Sequence, residues 1–170
     1  MTPTEPVAPT GHRNADSQPG VDLGEDPLAL DRQVCFALSV ASRSVIALYR
    51  PLLEPLNLTH PQYLVMLALW ESDPRSVKDL SHTVQAEPAT LSPLLKRLES
   101  VGYLTRSRSS GDERLVTVSL TPAGRELRAE AEKIPQRIVE RLGMPLEDLE
   151  SLNTALREVM AAAQRAKTGS

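Results

Sequence analysis

Cysteine, aromatic residues and excess positive charge are all scarce in this sequence of 170 residues. The one cysteine, Cys35, excludes an intrachain disulfide and any metal or iron–sulfur site that needs several cysteines. Only 3% of the residues are aromatic, so a core has to be built mainly from leucine, valine and alanine. The net charge of −3 excludes a protein that coats nucleic acid with positive charge over its whole surface. Any basic patch must therefore be local.

Long apolar runs and targeting signals are also missing. No apolar run approaches the roughly 18–20 residues that span a membrane, and the N-terminus lacks the charged-then-apolar order of a signal peptide. We therefore expect a cytoplasmic protein with no membrane partner, in which a lone thiol stays reduced until something oxidises it. The sequence has no glycine-rich phosphate loop and no nucleophile elbow, so we expect no enzymatic activity, cofactor or metal.

The first 28 residues differ in composition from the rest. They carry five acidic residues and one basic residue, a net charge of −4, which leaves +1 for the remaining chain. They also hold five prolines and few large apolar side chains. Such a segment buries too little surface to offset the entropy of ordering it. We expect residues 1–28 to be a disordered tail, 29–166 one folded domain and 167–170 a second short tail.

Apolar periodicity predicts a mainly α fold with one small β element. Spacings of three and four residues indicate helices, and strict alternation indicates strands. The expected helices are 29–54, 60–71, a short one from Ser76, one from Pro88 to a cap at Gly102, 122–142 and 145–166, with strands at 103–108 and 115–120. Pro51 is expected to disturb or end the first helix.

Two short helices followed by a β-hairpin predict a winged helix-turn-helix, here over about 57–121. One helix of such a unit enters the major groove of DNA, and the two-stranded β wing reaches along the backbone to the minor groove. The long N- and C-terminal helices, about 29–54 and 122–166, have apolar stripes with no other obvious cover. We expect these two helices to form the dimer surface.

The helix that follows Pro88 has one apolar and one polar face. Leu91, Leu94, Leu95 and Leu98 project from one side. Small residues, hydroxyls and two cations project from the other, and these are the expected DNA-binding residues: Ala89, Thr90, Ser92, Pro93, Lys96 and Arg97. Small side chains permit close approach to base edges, and the cations suit phosphates or guanines. The alternative is an ordinary amphipathic helix with a solvated face.

Positive charge is concentrated around the predicted hairpin. Between residues 96 and 125 six basic residues face three acidic ones in an otherwise balanced chain. We expect Arg106, Arg108 and Arg114 to contact DNA, with Arg114 near the hairpin tip entering a narrow minor groove. Asp112 is placed to hold that arginine in position. The alternative is a surface ion pair, which stabilises a protein little.

Cys35 lies at the edge of the apolar stripe of the first helix. On a helical wheel it falls about 100° from the stripe centre, in line with Ser42 and Tyr49 at heptad spacing. A thiol at the margin of a core is more open to reagents than one at its centre. It also lies near a helix N-terminus, with Arg32 close by, where a thiolate is favoured. The alternative is a small buried hydrophobe.

The stretch Leu80 to Gly124, with Asp112-Glu113-Arg114 and Leu120-Thr121-Pro122-Ala123-Gly124, resembles the multiple antibiotic resistance regulator (MarR) family. Three further runs resemble its organic hydroperoxide resistance regulator branch: Cys35-Phe36-Ala37-Leu38, Leu48-Tyr49-Arg50-Pro51 and Thr59-His60-Pro61-Gln62. The resemblance covers about residues 29–166. It implies a homodimeric repressor that leaves a pseudo-palindromic operator when an organic hydroperoxide oxidises Cys35. Tyr49 and the residue at His60, commonly a tyrosine in that branch, are implied to bind the cysteine.

Geometry constrains how these three residues meet. Tyr49 is 14 residues beyond Cys35, which is roughly 21 Å along one straight helix. If Tyr49 and His60 bind the thiol as the resemblance implies, they must therefore reach it from the partner subunit. Since the chain has no second cysteine, an oxidised Cys35 has no resolving cysteine to meet, and a low-molecular-weight thiol is one partner left to it.

Two other functions stay open at this stage. A related repressor can bind a small aromatic or apolar ligand between its subunits, with Cys35 structural. A one-cysteine thiol peroxidase is the enzymatic alternative. Operator binding measured before and after hydroperoxide separates all three.

Overall fold

The computed structural model describes residue 26 and residues 28–108 and 116–169. Its helices are α1 (Val34–Leu53), α2 (His60–Glu71), α3 (Val77–Thr83), α4 (Pro88–Val101), α5 (Pro122–Glu126), α6 (Arg128–Ala131), α7 (Ile134–Leu142) and α8 (Leu146–Thr168). Its strands are β1 (Arg75–Ser76), β2 (Leu104–Arg108) and β3 (Val116–Leu120). Short 3₁₀ turns cover Leu30–Arg32 and Glu54–Leu56. The mainly α fold and its order of elements confirm the expectation, while most of the expected tail, 1–28, lies outside the described residues.

The chain divides into two compact units, residues 1–40 and 41–170. In the first unit the described residues form the 3₁₀ turn and the first seven residues of α1. The second unit holds the rest of α1 and every later element.

Helix α1 departs from the sequence prediction in two respects. It runs through Pro51 and ends at Leu53, whereas that proline was expected to disturb or end it. The segment Val34–Leu56 also reaches a mean hydropathy of 1.2 over an 18-residue window. By length and composition alone it is therefore apolar enough to cross a membrane, although no single uninterrupted apolar run is that long. Only 6% of that window is buried, so the described residues of the chain leave most of its apolar side chains uncovered.

The core of the second unit is built from aliphatic side chains, as the scarcity of aromatic residues predicts. Its fully buried large residues are Leu53, Val65, Met66, Leu69, Leu80, Leu91, Leu95, Leu98, Leu104 and Val118. They come from the end of α1, from α2, α3 and α4, and from the two long strands. Burial of this apolar surface fixes which face α4 turns away from the core.

Local capping sets where the helices begin and end. The backbone N–H of Thr59 donates to Oε1 of Gln62 at 2.8 Å, and Ser76 Oγ accepts from the N–H of Asp79 at 3.0 Å. Gly102 ends α4 in the left-handed region, at φ 88°, which glycine adopts without strain. The cap at Gly102 confirms the sequence prediction.

The sheet has three antiparallel strands in the order β1-β3-β2, not the two that were expected. Leu104 pairs with Leu120 and Arg106 with Val118 in the hairpin, and Arg75 pairs with Val118 on the other side. Strand β1 has only two residues, too few to show an alternating pattern, so sequence periodicity cannot detect it.

The single helix expected over 122–142 is divided into α5, α6 and α7. Pro135 lies in the first turn of α7, where it has no amide hydrogen to continue a helix from the preceding turn. The C-terminal helix α8, by contrast, is one continuous helix of 23 residues, close to its expected bounds.

A close approach joins α5 to the start of the hairpin. A Cβ atom built on Gly124 would lie 2.0 Å from the carbonyl oxygen of Tyr103, so only glycine fits there. Trp70 Nε1 donates to the Gly124 carbonyl at 2.8 Å, and Thr121 Oγ1 donates to the Gly102 carbonyl at 2.6 Å. These contacts, which we call the Gly124 joint, hold α2, the hairpin and α5 together.

Candidate functional site

The outward face of α4 carries the residues that were expected to contact DNA. Leu91, Leu95 and Leu98 are fully buried and fix the rotation of the helix. The residues exposed on the opposite side are Ala89, Thr90, Ser92, Pro93, Lys96 and Arg97. The two-face projection is therefore confirmed, and the contacts of these residues with DNA stay a prediction. No ion pair of Lys96 is seen in the described part of the chain.

Arg97 lies at a boundary of this surface. It lines an open cavity of about 590 Å³ together with Arg50, Glu54 and His60. Helix α4 and the N-terminus of α2 thus share one cavity, which sequence separation alone does not indicate.

The hairpin residues differ in their surroundings. Arg108 is exposed at the end of β2. Arg106 is paired with Glu99 of α4, with 2.6 Å between Nη2 and Oε2. Asp112 and Arg114 lie outside the described residues, and their roles stay a prediction. Arg125, which contributed to the local positive charge, forms an ion pair with Asp73.

Lys78 is a basic residue near α4 that was not among the residues expected to contact DNA. It is exposed on α3 and lines a cavity of about 440 Å³ with Ser92 and Arg106. The signal was present in the sequence, because Lys78 comes two residues after the capping residue Ser76, in the first exposed turn of α3. Its charge adds to the basic surface around α4.

Tyr49 and His60, the two expected partners of the cysteine, are in contact. Their ring centroids are 5.1 Å apart in an edge-to-face arrangement. The aromatic chain continues to Tyr63, at 6.0 Å from Tyr49, and on to Trp70, at 6.4 Å from Tyr63. Offset and edge-to-face ring pairs of this kind are favourable. The structure therefore brings together two residues that are 11 positions apart in the sequence.

Burial sets the protonation of this pair. It raises the pKa of the Tyr49 phenol and lowers the pKa of the His60 imidazole. At neutral pH the phenol is protonated and the imidazole is neutral, so both can donate a hydrogen bond without carrying charge.

Cys35 is exposed, near the start of α1. It belongs to the first compact unit, while Tyr49 and His60 belong to the second. The grouping of all three stays a prediction. In the described part of the chain no cluster of histidine, cysteine or acidic side chains is placed to hold a metal ion.

Comparison with known proteins adds to this geometry. Residues 47–131 match the family described as Transcriptional regulator SarA/Rot. The organic hydroperoxide resistance transcriptional regulator of Bacillus subtilis is 43% identical over 131 residues, which is 77% of this chain and 89% of that protein.

Two solved structures are similar in fold. Reduced AbfR of Staphylococcus epidermidis, bound to DNA, has a TM-score of 0.66 and 28% identity, and the match covers 79% of this chain and 94% of AbfR. Bordetella bronchiseptica BpsR, whose DNA binding is regulated by 6-hydroxynicotinic acid, has a TM-score of 0.65 and 27% identity, with 75% and 98% covered.

Proposed function

The chain belongs to the MarR family of winged-helix transcriptional regulators, and from this premise we propose that it is a homodimeric repressor whose release from DNA is controlled by oxidation of Cys35. The observation that supports oxidation of Cys35 as the signal is the contact between Tyr49 and His60, whose ring centroids are 5.1 Å apart. A protonated phenol and a neutral imidazole can each donate a hydrogen bond to a thiol that lies against them. The 43% identity to a regulator of organic hydroperoxide resistance supports the same choice of signal.

DNA is read by α4 and by the wing, which we define as β2 and β3 with their connection. The exposed small residues at the start of α4 permit approach to base edges, and the exposed cation Lys96, one turn after Ser92, suits a phosphate. Lys78 and Arg108 extend the positive surface on both sides. We expect Arg114 of the connection to enter the minor groove, as the sequence suggests.

A second copy of the chain is the proposed cover for α1 and α8. Helix α8 has no buried residue along its 23 residues, and α1 buries only Leu52 and Leu53. The apolar side chains left exposed on α8 include Leu146, Leu152, Val159 and Met160. A two-fold pairing of these helices covers them and presents two copies of α4 to a pseudo-palindromic operator. It also makes a membrane unnecessary as the cover for α1.

In such a dimer Cys35 of one protomer meets Tyr49 and His60 of the other. The thiolate sulfur attacks the terminal oxygen of an organic hydroperoxide, the O–O bond breaks, and the organic part leaves as an alcohol after taking up a proton. The sulfur is oxidised to a sulfenic acid. A low-molecular-weight thiol then condenses with the sulfenic acid, giving a mixed disulfide and water. The added bulk fits a packed interface poorly and separates the two DNA-reading heads.

The direct test uses a duplex selected by the wild-type protein from a randomised pool. After cumene hydroperoxide and free cysteine are added, the wild type should gain one thiol adduct per chain by intact mass and lose the duplex. Reduction should restore both. Cys35→Ser should stay bound throughout. Release of Cys35→Ser by peroxide to the same extent as wild type would remove Cys35 from the mechanism.

A small organic ligand is the second candidate signal. The cavity lined by His60, Arg50 and Arg97 has about 590 Å³, which is the size of many ligand pockets, and BpsR is regulated by such a molecule. This function predicts release by 6-hydroxynicotinic acid or a similar aromatic acid in both wild type and Cys35→Ser, with no response to peroxide. Either way the protein acts as a regulator and not as an enzyme, and we expect it in the cytoplasm with the DNA.

A further inference from the structure

Three hydrogen bonds join helix α4 to strand β2 at the edge of the wing. Glu99 Oε2 accepts from Arg106 Nη2 at 2.6 Å and from Nε at 2.9 Å, and Glu99 Oε1 accepts from the Arg106 backbone N–H at 3.2 Å. Both carboxylate oxygens are therefore used. The two side chains are 35% and 31% exposed, so water still reaches them.

The contact lies where the wing has no neighbouring strand. Strand β2 is at the edge of the sheet, since the order is β1-β3-β2. Arg106 pairs with Val118 on the inner side of β2, and its N–H turns outward to Glu99. The carboxylate thus takes the place that a further strand would occupy, and it connects β2 to the last turns of α4.

The geometry also limits what Arg106 can do for DNA. A guanidinium binds a phosphate best through two parallel N–H groups. The Nε–Nη2 edge of Arg106 is already bonded to Glu99, so only its Nη1–Nη2 edge is left for a phosphate. Hydrogen bonds from Arg106 lower the pKa of the Glu99 carboxyl, so this partner stays ionised at neutral pH. Lys96, on the same helix, has no such partner among the described residues.

We propose that Glu99 and Arg106 are positioning residues that set the angle of the wing against the recognition helix, and that Arg106 is not a phosphate ligand. This inference depends on the proposed reading of DNA by α4 and the wing. A wing held at a fixed angle raises the affinity for the selected sequence, because all the contacts to that sequence must form at once. Non-specific binding depends on charge and not on that angle.

The two assignments of Arg106 predict opposite effects for Glu99→Ala. If Glu99 positions the wing, its loss lowers preference for the selected sequence, as Arg106→Ala does. If Arg106 instead contacts phosphate and Glu99 only competes for it, Glu99→Ala frees a cation and tightens binding to every duplex.

The experiment measures the Kd of the full-length chain for the duplex selected from a randomised pool and for a scrambled duplex of the same composition, over a range of KCl concentrations. Glu99→Ala, Arg106→Ala and the double variant are compared with wild type. We expect each single variant to lose roughly tenfold in the ratio of the two affinities. The double variant should lose no more than either single one, because both changes break the same contact.

Lys96→Ala is the matched control for a cation on the same surface. If Lys96 meets a phosphate, it should weaken both duplexes alike and reduce the slope of log affinity against log salt by about 0.9. Arg106→Ala should leave that slope at the wild-type value. A slope reduced by Arg106→Ala, or tighter binding by Glu99→Ala, overturns the inference. A variant that has merely lost folded protein weakens both duplexes equally and leaves the ratio unchanged.

Failure of the underlying function has a different signature. A wild-type protein that never separates a selected duplex from a scrambled one contradicts DNA reading itself. Clear discrimination by wild type that persists in both single variants contradicts only the positioning role of Glu99 and Arg106.

Discussion

His60 stands where a tyrosine is common in the branch that this chain resembles, and its imidazole is neutral at pH 7. Burial lowers its pKa below the usual 6.5, so any change of its charge falls at more acidic pH. From sequence, oxidation of Cys35 is expected to depend on pH between 5 and 8 if His60 controls it. Because burial lowers the His60 pKa, the pH dependence of Cys35 oxidation that is due to His60 should fall below about pH 6.5.

The same shift predicts how stability depends on pH. The unfolded chain takes up the His60 proton more readily than the folded chain, so stability linked to this group is present above about pH 6.5 and is lost as pH falls further. In urea unfolding at pH 7.5 and 5.0, His60→Gln should lose less free energy of unfolding than wild type. His82→Gln, at an exposed position on α3, is the control. An equal loss in wild type and His60→Gln contradicts the role of His60.

The residues that form the candidate sites could be predicted only in part from the sequence. The exposed face of α4 followed from helical spacing, because burial of leucines at that spacing forces the remaining positions outward. The contact between Glu99 and Arg106 could not be predicted. It crosses the turn between α4 and β2, and it depends on the orientation of that strand relative to the helix. That Tyr49 and His60 belong to one site was expected only from the family resemblance, and their direct contact was not predicted.

At the scale of elements, the helix caps were predictable, whereas the division of 122–142 was signalled by the sequence only in part. A cap depends on a few neighbouring residues, such as Thr59 and Gln62, whose bonds are local. Pro135 marks the start of α7, whereas no proline marks the break between α5 and α6. The two-residue strand β1 exists because β3 offers it partners, which no local pattern records.

The Gly124 joint gives a stability prediction for these elements. Gly124→Ala puts a methyl group against the carbonyl oxygen of Tyr103, a backbone atom that cannot rotate away. Overpacking of this kind should cost about 3 kcal/mol of unfolding free energy. Gly143→Ala is the matched control. It has positive φ but open space around it, and the handedness of its backbone alone should cost about 1 kcal/mol.

Denaturant unfolding of both variants decides this point. A Gly124→Ala variant as stable as Gly143→Ala would mean that the hairpin and α5 move apart freely. That result would contradict a rigid joint between them.

For the whole molecule, the exposed apolar face of α8 predicts the oligomeric state. Leu152 and Val159 are 49% and 45% exposed and lie one heptad apart on the same side of the helix. Leu152→Asp with Val159→Asp should convert a particle of twice 18.6 kDa into one of 18.6 kDa, measured by sedimentation, because two buried carboxylates oppose association. The affinity for a duplex with a two-fold symmetric site should fall when the dimer is lost.

Thr154→Asp with Ala161→Asp is the control for added charge, at the same heptad spacing. These positions are exposed and lie on the opposite side of α8, by the 100° advance per residue of a helix. They should leave the dimer intact. Dissociation by both pairs would show that charge, and not the apolar stripe, governs association.

Trp70 is the only tryptophan in the chain, and its place in the Gly124 joint makes it a built-in optical probe. Its indole donates to the Gly124 carbonyl and lies 6.4 Å from the ring of Tyr63. Unfolding hydrates the indole and shifts its emission to longer wavelength. A peroxide-treated sample that releases DNA while keeping its native spectrum has therefore switched, whereas one that releases DNA with a red shift has been damaged. Fluorescence alone thus separates signalling from oxidative injury, with no label attached.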